Sequence, residues 1–337
     1  MAAKAASAAA GPEGTSTSGD EGERLVWIDC DAGIDDAQAL LLALSLPRVK
    51  LVAVSCVHGN ADVRRVATNV ARVLALCGAA GVPIYLGAEE PLVAAHSPYD
   101  REFHGDDGLG GVPDIEPAAA AAGLQAPEKG ATACGALLRA AEAHAGRLHL
   151  IALGPLTNVA LACQLDPGLP QRLASFTVMG AAEAVGNVTP TAEFNVYADP
   201  EAAHMALAKF PLTTLVTWEA SNRHALPWEW VEDQWLARRT PKSRFLASVM
   251  AFGLDKWRTM FPAGWSACDA LAVAVALRPD IVRGTKEVFV DVELRGSLTR
   301  GMTVFDWHGV LRRAPNARLV AAVDEAAYRA MLLAALD

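Results

Sequence analysis

The 337-residue sequence is short of charge and shorter still of aromatic rings: 20% of its residues are Asp, Glu, Lys or Arg, and 6% are Phe, Trp or Tyr. Apolar residues reach 52%. That excludes a disordered chain, and the excess of Ala, Leu and Val suits helices laid over a sheet. Basic residues are outnumbered, 29 against 38 acidic, for a formal charge of −9. A sequence-independent nucleic-acid binder would need a basic face to neutralise phosphates, so no nucleic-acid partner is expected. No run approaches the roughly 20 apolar residues that cross a bilayer. The stretch from Ala37 to Leu46 is helix-sized and stops at Pro47, so no membrane partner is expected either. The six cysteines are scattered without a C-x-x-C pair, which reads as reduced core thiols in a cytoplasmic protein. Residues 1–23 carry Ala, Gly, Ser, Thr and Glu and no apolar signal core, which predicts a disordered tail ahead of one large domain over 24–337.

The domain alternates. Leu25 to Asp29 is a short apolar run, followed by Asp31-Ala32-Gly33 and a helical pattern from Asp35 through Leu44. Val49 to Val57 and Val82 to Leu86 read as further strands, with Asp62 to Cys77 between them carrying apolar residues at helical spacing. After a long Gly- and Pro-rich connection, Gly87 to Gly130, the pattern resumes. Helix Ala131 to His144, strand Leu148 to Leu153, strand Phe176 to Met179, a polar loop Gly180 to Asn195, helix Pro200 to Lys209 and strand Thr213 to Thr217 follow in order. An apolar helix from Ala267 to Leu277, short strands between Val288 and Ala321 and a final helix from Asp324 complete the chain. Near-continuous apolar strands separated by amphipathic helices predict an α/β fold: an open, mostly parallel, doubly wound sheet with helices on both faces.

Asp29, Asp31, Asp35 and Asp36 fall within eight residues at the carboxyl end of the first strand, where open α/β sheets bind ligands. A helix N-terminus stabilises one anion by about 0.3 to 1 kcal/mol, too little for four converging carboxylates. A cation resolves the repulsion. The donors are hard oxygens with no His or Cys at metal spacing, so Ca²⁺ or Mg²⁺ fits better than Zn²⁺.

The run Val26-Trp27-Ile28-Asp29-Cys30-Asp31-Ala32-Gly33-Ile34-Asp35-Asp36-Ala37 closely resembles the strand-turn-helix aspartate cluster of the inosine-uridine-preferring nucleoside hydrolases. Further matches follow in order: His58-Gly59-Asn60, Gly154-Pro155-Leu156-Thr157-Asn158, and Glu193-Phe194-Asn195 with Asp199-Pro200. The resemblance implies a Ca²⁺-dependent hydrolase that cuts ribonucleosides of the inosine, xanthosine and uridine class into ribose and free base. Asp31, Asp36, Asp269 and the Leu153 carbonyl would hold the Ca²⁺, and Asp31 would take a proton from the attacking water. Asp35, Asn60, Asn187, Glu193, Asn195 and Asp269 would bind the ribose as positive charge develops on its ring. His104, Phe194, Trp257 and Cys268 are the base-site candidates. Trp218 and Trp265 join them as possible stacking rings, although a tryptophan in an Ala-rich core reads first as packing. The Gly-rich segment around His104 is expected to be a lid hinged on its glycines. The resemblance also implies a homo-oligomer, with a dimer favoured, and a small-molecule nucleoside as partner. The tryptophans beyond Ser221 favour purines, as in a plant-type purine-preferring member.

Two departures stand out. The best-studied members carry a His just before the late aspartate, where it protonates the leaving base; here Cys268 precedes Asp269. A thiol is a weak donor and often a small buried hydrophobe, so Cys268 is expected to be a wall residue. The family also has Pro where Ala32 stands. Two other readings compete. A haloacid-dehalogenase-like phosphohydrolase also opens on D-x-D but leaves Asp35 and Asp36 unexplained. A catalytically inactive calcium- or ribose-binding protein of the same fold would keep the carboxylates without turnover.

Overall fold

Strand β1 (Arg24–Cys30) shows why the sheet is covered twice. Successive side chains of a strand point to opposite faces; Val26, Ile28 and Cys30 enter one apolar core, and Leu25 and Trp27 enter another. The computed structural model describes residues 22–94, 101–111 and 132–337. The strands that follow are β2 (Val49–Cys56), β3 (Ile84–Leu86), β4 (Leu148–Ala152), β5 (Leu173–Met179), β6 (Thr213–Val216), β7 (Val282–Val288), β8 (Val290–Val292), β9 (Thr303–Phe305) and β10 (Ala317–Val323). Eight of them form one sheet in the order β3-β2-β1-β4-β5-β6-β10-β7, parallel throughout except for β7. β8 and β9 make a separate antiparallel ribbon. The predicted doubly wound α/β sheet is observed.

Helices Ile34–Ser45, Val63–Leu76, Cys268–Leu277 and Glu325–Ala334 fill the first core. Ala133–Ala143, Thr157–Leu165 and Pro200–Lys209 fill the second. Strand order reverses between β1 and β4, so the loops leaving their carboxyl ends diverge and open a crevice there. Among the described residues no helix is long and apolar enough to cross a membrane.

Several boundaries move. The loop expected from Gly180 to Asn195 ends earlier, because the Glu193 carboxylate caps a short helix, Phe194–Ala198. The closing strands begin at Val282, six residues before the expected start, since β7 pairs antiparallel with β10. The described part of the Gly-rich segment, 101–111, packs as an ordered turn against its neighbours. After a short helix, Arg101–His104, the Asp107 carboxylate accepts the N–H groups of Leu109 (2.9 Å) and Gly111 (2.8 Å). Asn69 donates to the Asp107 carbonyl at 2.8 Å, and Leu109 is buried. The glycines there close a fixed turn bolted to helix Val63–Leu76. The rest of the expected lid, and nearly all of the expected tail, lie outside the described residues.

Candidate active site

Two helix N-termini meet beneath the crevice. Ile34–Ser45 carries Asp35 and Asp36 in its first turn, Cys268–Leu277 carries Asp269 in its own, and the two helices pack along each other. The second is apolar on every side, as a fully buried helix must be. Ligand oxygens of Asp35, Asp36 and Asp269 lie within 4.8 Å of one another, the grouping of this kind found among the described residues. Asp31 flanks them from the loop after β1. Its Oδ2 accepts the Asn60 N–H at 2.8 Å. Gly59 makes that approach possible: with φ at 155°, a side chain there would put Cβ 2.0 Å from Asp31 Oδ2. Ala32 holds φ at 32°, which a proline ring excludes, so this turn could not be built with the family's Pro.

The carboxylates strain against one another. Burial, then the charge of Asp36, holds Asp31 well above the ordinary carboxylate range, and Asp269 is raised by burial and by the charges of Asp35, Asp36 and Asp31. Asp36 is pushed up to about 6 by burial and by Asp35, although its Oδ2 accepts the Gly33 N–H at 2.7 Å. Asp31 Oδ1 and Asp36 Oδ1 are buried without a hydrogen-bond partner. Each such orphan costs about 1 to 3 kcal/mol or more when charged, and hard anionic oxygens converging in this way match an oxygen-seeking divalent cation. The residues present therefore fit Ca²⁺.

Above this floor opens a cavity of about 560 Å³. On one side Asp35, Asn60, Leu153, Asn187, Glu193, Asn195 and Asp269 line it. Glu193 is buried, and its carboxylate accepts the N–H groups of Asn195 (2.9 Å), Ala181 (3.0 Å) and Val196 (3.2 Å). Burial pushes it up to about 7. Asn195 donates from Nδ2 to the Leu153 carbonyl at 2.7 Å and to Met179 O at 3.2 Å, which leaves its Oδ1 for a ligand. Asn187 is divided in the opposite sense: its Oδ1 accepts the Phe194 N–H at 2.9 Å, and its Nδ2 is the free donor.

The other side is aromatic. Phe103, Trp218, Phe261 and Trp265 line it, with Phe194, His104 and Cys268 between them and the polar wall. Phe103 stacks on Trp265 at 5.8 Å, and Trp265 Nε1 donates to Gln38 Oε1 at 3.0 Å, so that ring is fixed. Trp257 requires a correction. It is fully buried behind the wall, 5.1 Å from Phe103 and 4.8 Å from Trp265, and does not line the cavity. Gly253 leaves the space for its ring to turn inward, since a Cβ there would meet it at 2.3 Å.

His104 is neither mobile nor a surface residue. It is 5% exposed, and its Nδ1 accepts the Ile34 N–H at 3.0 Å, which assigns the ring proton to Nε2, 4.0 Å from Asp35 Oδ1. Cys268 is also buried, with Sγ donating to Ser266 O at 3.3 Å, and burial raises its thiol far above the usual range. It is a wall residue that keeps its proton.

Asp29 requires a correction: expected among four carboxylates converging on a cation, it lies outside the Asp35, Asp36 and Asp269 group and is held with Ser55 and Asn158, to which sequence reasoning assigned no role. Asp29 Oδ1 accepts from Ser55 Oγ and from Asn158 Nδ2 (2.8 Å), and Asn158 also accepts the Ala88 N–H at 2.8 Å. This buried brace ties β1 to β2 and to the loop after β3. Only the motif containing Asn158 gave a hint of it.

Comparison with known proteins follows the same lines. Residues 26–330 match the family model described as inosine-uridine preferring nucleoside hydrolase. The chain is 32% identical over 308 residues to the pyrimidine-specific ribonucleoside hydrolase RihA of Salmonella enteritidis, covering 90% of this chain and 95% of that one. RihA of Escherichia coli matches to the same extent. Among solved structures, an inosine-guanosine nucleoside hydrolase superposes with a TM-score of 0.81 at 31% identity, over 93% of this chain and 98% of its own. A plant nucleoside hydrolase gives 0.81 at 25%, over 93% and 99%.

Proposed function

The chain belongs to the inosine-uridine preferring nucleoside hydrolase family and is a ribonucleoside hydrolase, and on that premise we propose a calcium-dependent enzyme that prefers purine ribonucleosides such as inosine. The observation that carries the reading is the floor of the cavity, where ligand oxygens of Asp35, Asp36 and Asp269 lie within 4.8 Å of one another and Asp31 Oδ1 and Asp36 Oδ1 are buried without a hydrogen-bond partner. Asp31, Asp36, Asp269 and the Leu153 carbonyl would hold Ca²⁺. When bound, it would neutralise their charge and acidify a water.

The remaining chemistry belongs to side chains. Asp31 Oδ1 is buried without a hydrogen-bond partner, which suits it to accept a proton from the water that attacks the anomeric carbon. Asp35 faces the cavity while Asp31 and Asp36 lie below it, which supports giving Asp35 to the ribose hydroxyls. A carboxylate has about four lone-pair sites; Glu193 uses three on backbone N–H groups and keeps one for a hydroxyl. Asn60, Asn195 Oδ1 and Asn187 Nδ2 complete a polar cradle, with Asn187 at the 5′ end. These negative and dipolar groups oppose the positive charge of an oxocarbenium-like transition state. His104 Nε2–H is the donor facing the leaving base, a role that Cys268 with its raised thiol cannot fill.

The purine preference is supported by the aromatic wall, which offers more stacking area than a pyrimidine can use. The pyrimidine-specific and inosine-guanosine relatives divide on this point. A panel of inosine, guanosine, uridine and cytidine, scored by reducing-sugar release as kcat/KM, tests it. Highest values on the two purines support the reading, highest values on the pyrimidines overturn the base preference, and no sugar release from any of them leaves an inactive ribose binder.

A further inference from the structure

The loop from Gly180 to Ala192 gives Asn187 and Val188 to the cavity lining; Ala181, Ala182 and Ala192 at its ends are buried, but its middle is not, with Val185 62% exposed and Val188 40%. Its outer part is tied by Thr191 Oγ donating to Leu298 O (3.0 Å) and by Phe194 N–H donating to Asn187 (2.9 Å). Its inner turn is held by a side chain from a different element. Glu219 Oε2 accepts the N–H of Glu183 at 2.7 Å, and Oε1 accepts those of Ala184 at 2.8 Å and Val185 at 3.1 Å. Three consecutive N–H groups around one carboxylate form an anion cradle filled from within the protein. Glu183 itself is secured by Thr217 Oγ (2.7 Å) and Arg223 Nη2 (3.1 Å), both beside Glu219 in sequence.

Glu219 directly follows Trp218, which lines the cavity, while the latched turn leads within three residues to Asn187 and Val188, which line it too. Trp218 and the turn that leads to Asn187 are therefore tied together by the Glu219 carboxylate, with the Thr217 and Arg223 contacts to Glu183 and the Trp218 N–H donated to Ala181 O (3.0 Å) beside it. We infer that Glu219 is a positioning residue for substrate, a latch that holds the Asn187–Val188 rim in register with Trp218. It does not touch the reacting atoms. The inference rests on the reading of Asn187 as a substrate contact, but its latch geometry does not. Ala184 and Val185 are exposed, so water can replace the lost acceptor and the loop should loosen without unfolding the domain.

The test uses the full chain with Glu219→Ala, Glu219→Gln, Asn187→Ala and the Glu219→Ala/Asn187→Ala double variant. Steady-state kinetics are run on inosine or uridine, whichever is turned over faster, alongside amide hydrogen exchange of the segment 183–188. Glu219→Ala should raise KM about tenfold with kcat within about twofold, because uniform binding is lost and not transition-state contact. Glu219→Gln, which keeps one carbonyl oxygen, should fall between wild type and Glu219→Ala. In the double variant KM should rise little beyond the single variants, the non-additivity of residues acting through one contact. Exchange at Ala184 and Val185 should quicken in Glu219→Ala while protection in the sheet is unchanged. A wild-type KM for Glu219→Ala, a fall in kcat alone, or full additivity with Asn187→Ala overturns the inference. Should Asn187→Ala by itself leave KM unchanged, the substrate role of Asn187 fails, and hydrogen exchange decides the latch: faster exchange supports it, and unchanged exchange overturns it.

Discussion

The two walls of the cavity are built by different means. The carboxylate floor and the groups beside it stand on strand ends and buried helix starts: Asp31 follows β1, Asn60 follows β2, Leu153 follows β4, and Asp35, Asp36 and Asp269 lie in first helical turns. The aromatic wall hangs on helices and connections outside the sheet, with Phe103 from Arg101–His104, Trp218 from Trp218–Arg223, and Phe261 and Trp265 beyond helix Leu254–Met260. Moving a floor group would require moving a strand end or a buried helix, whereas an aromatic ring can be exchanged without touching the sheet. The comparison teaches that the carboxylate floor is written into the backbone, whereas the rings facing it are carried by side chains that can be replaced one at a time.

The division can be broken most severely on its polar side. Asp269→Ala should lower kcat on every nucleoside by about 10³-fold or more, as expected for losing several kcal/mol of charge stabilisation. Uniform loss across bases is the feature to check in the substrate panel. His104→Ala comes next, with a fall in kcat on inosine of about 10²-fold, the usual scale for a general acid. An activated riboside whose leaving group needs no proton should lose far less, and equal losses on both would remove His104 from leaving-group chemistry.

On the aromatic side effects shrink and become selective. Trp218→Ala should raise KM for inosine by about two- to tenfold, the worth of one stacked ring, and for uridine by less. A uniform rise would mean that Trp218 shapes the pocket and does not read the base. Cys268→Ala should change kcat by less than about threefold at any pH from 6 to 9, because a buried thiol that keeps its proton contributes packing alone. A hundredfold fall would make it the acid.

The same division explains what was legible in the sequence. Apolar runs separated by amphipathic helices fixed the sheet, and D-x-D-x-x-x-D-D after a buried strand exposed the floor, because both are local patterns. The exact brace of Asp29, Ser55 and Asn158 joins residues 26 and 129 positions apart, and no spacing rule reaches that far. Trp257 and Trp265 illustrate the aromatic side. They lie eight residues apart in a Trp-rich stretch, and only packing decides that one lines the cavity while the other backs it. His104 was visible only as a histidine in a Gly-rich loop; its fixed tautomer depends on the Ile34 N–H, 70 residues away.

The central claim is that the buried carboxylates form a calcium site, and melting temperature against pH, with and without Ca²⁺, tests it most directly. Burial raises Asp36 to about 6, and Asp31 and Asp269 well above the ordinary carboxylate range, in the fold. Unfolded carboxyls titrate near 4, so these groups favour the folded state at low pH, and that contribution is lost as pH rises through the folded values. The metal-free chain should therefore lose stability from this cluster as pH rises from about 4 through the Asp36 value of about 6 and beyond. Groups outside the cluster behave alike in both conditions, so the Ca²⁺-dependent difference isolates it. Ca²⁺ should raise the melting temperature most near pH 7, by favouring the charged carboxylates it binds, and should restore inosine hydrolysis to a chelator-treated sample. An unchanged melting temperature at pH 7 together with full activity in exhaustively metal-free protein would contradict the account.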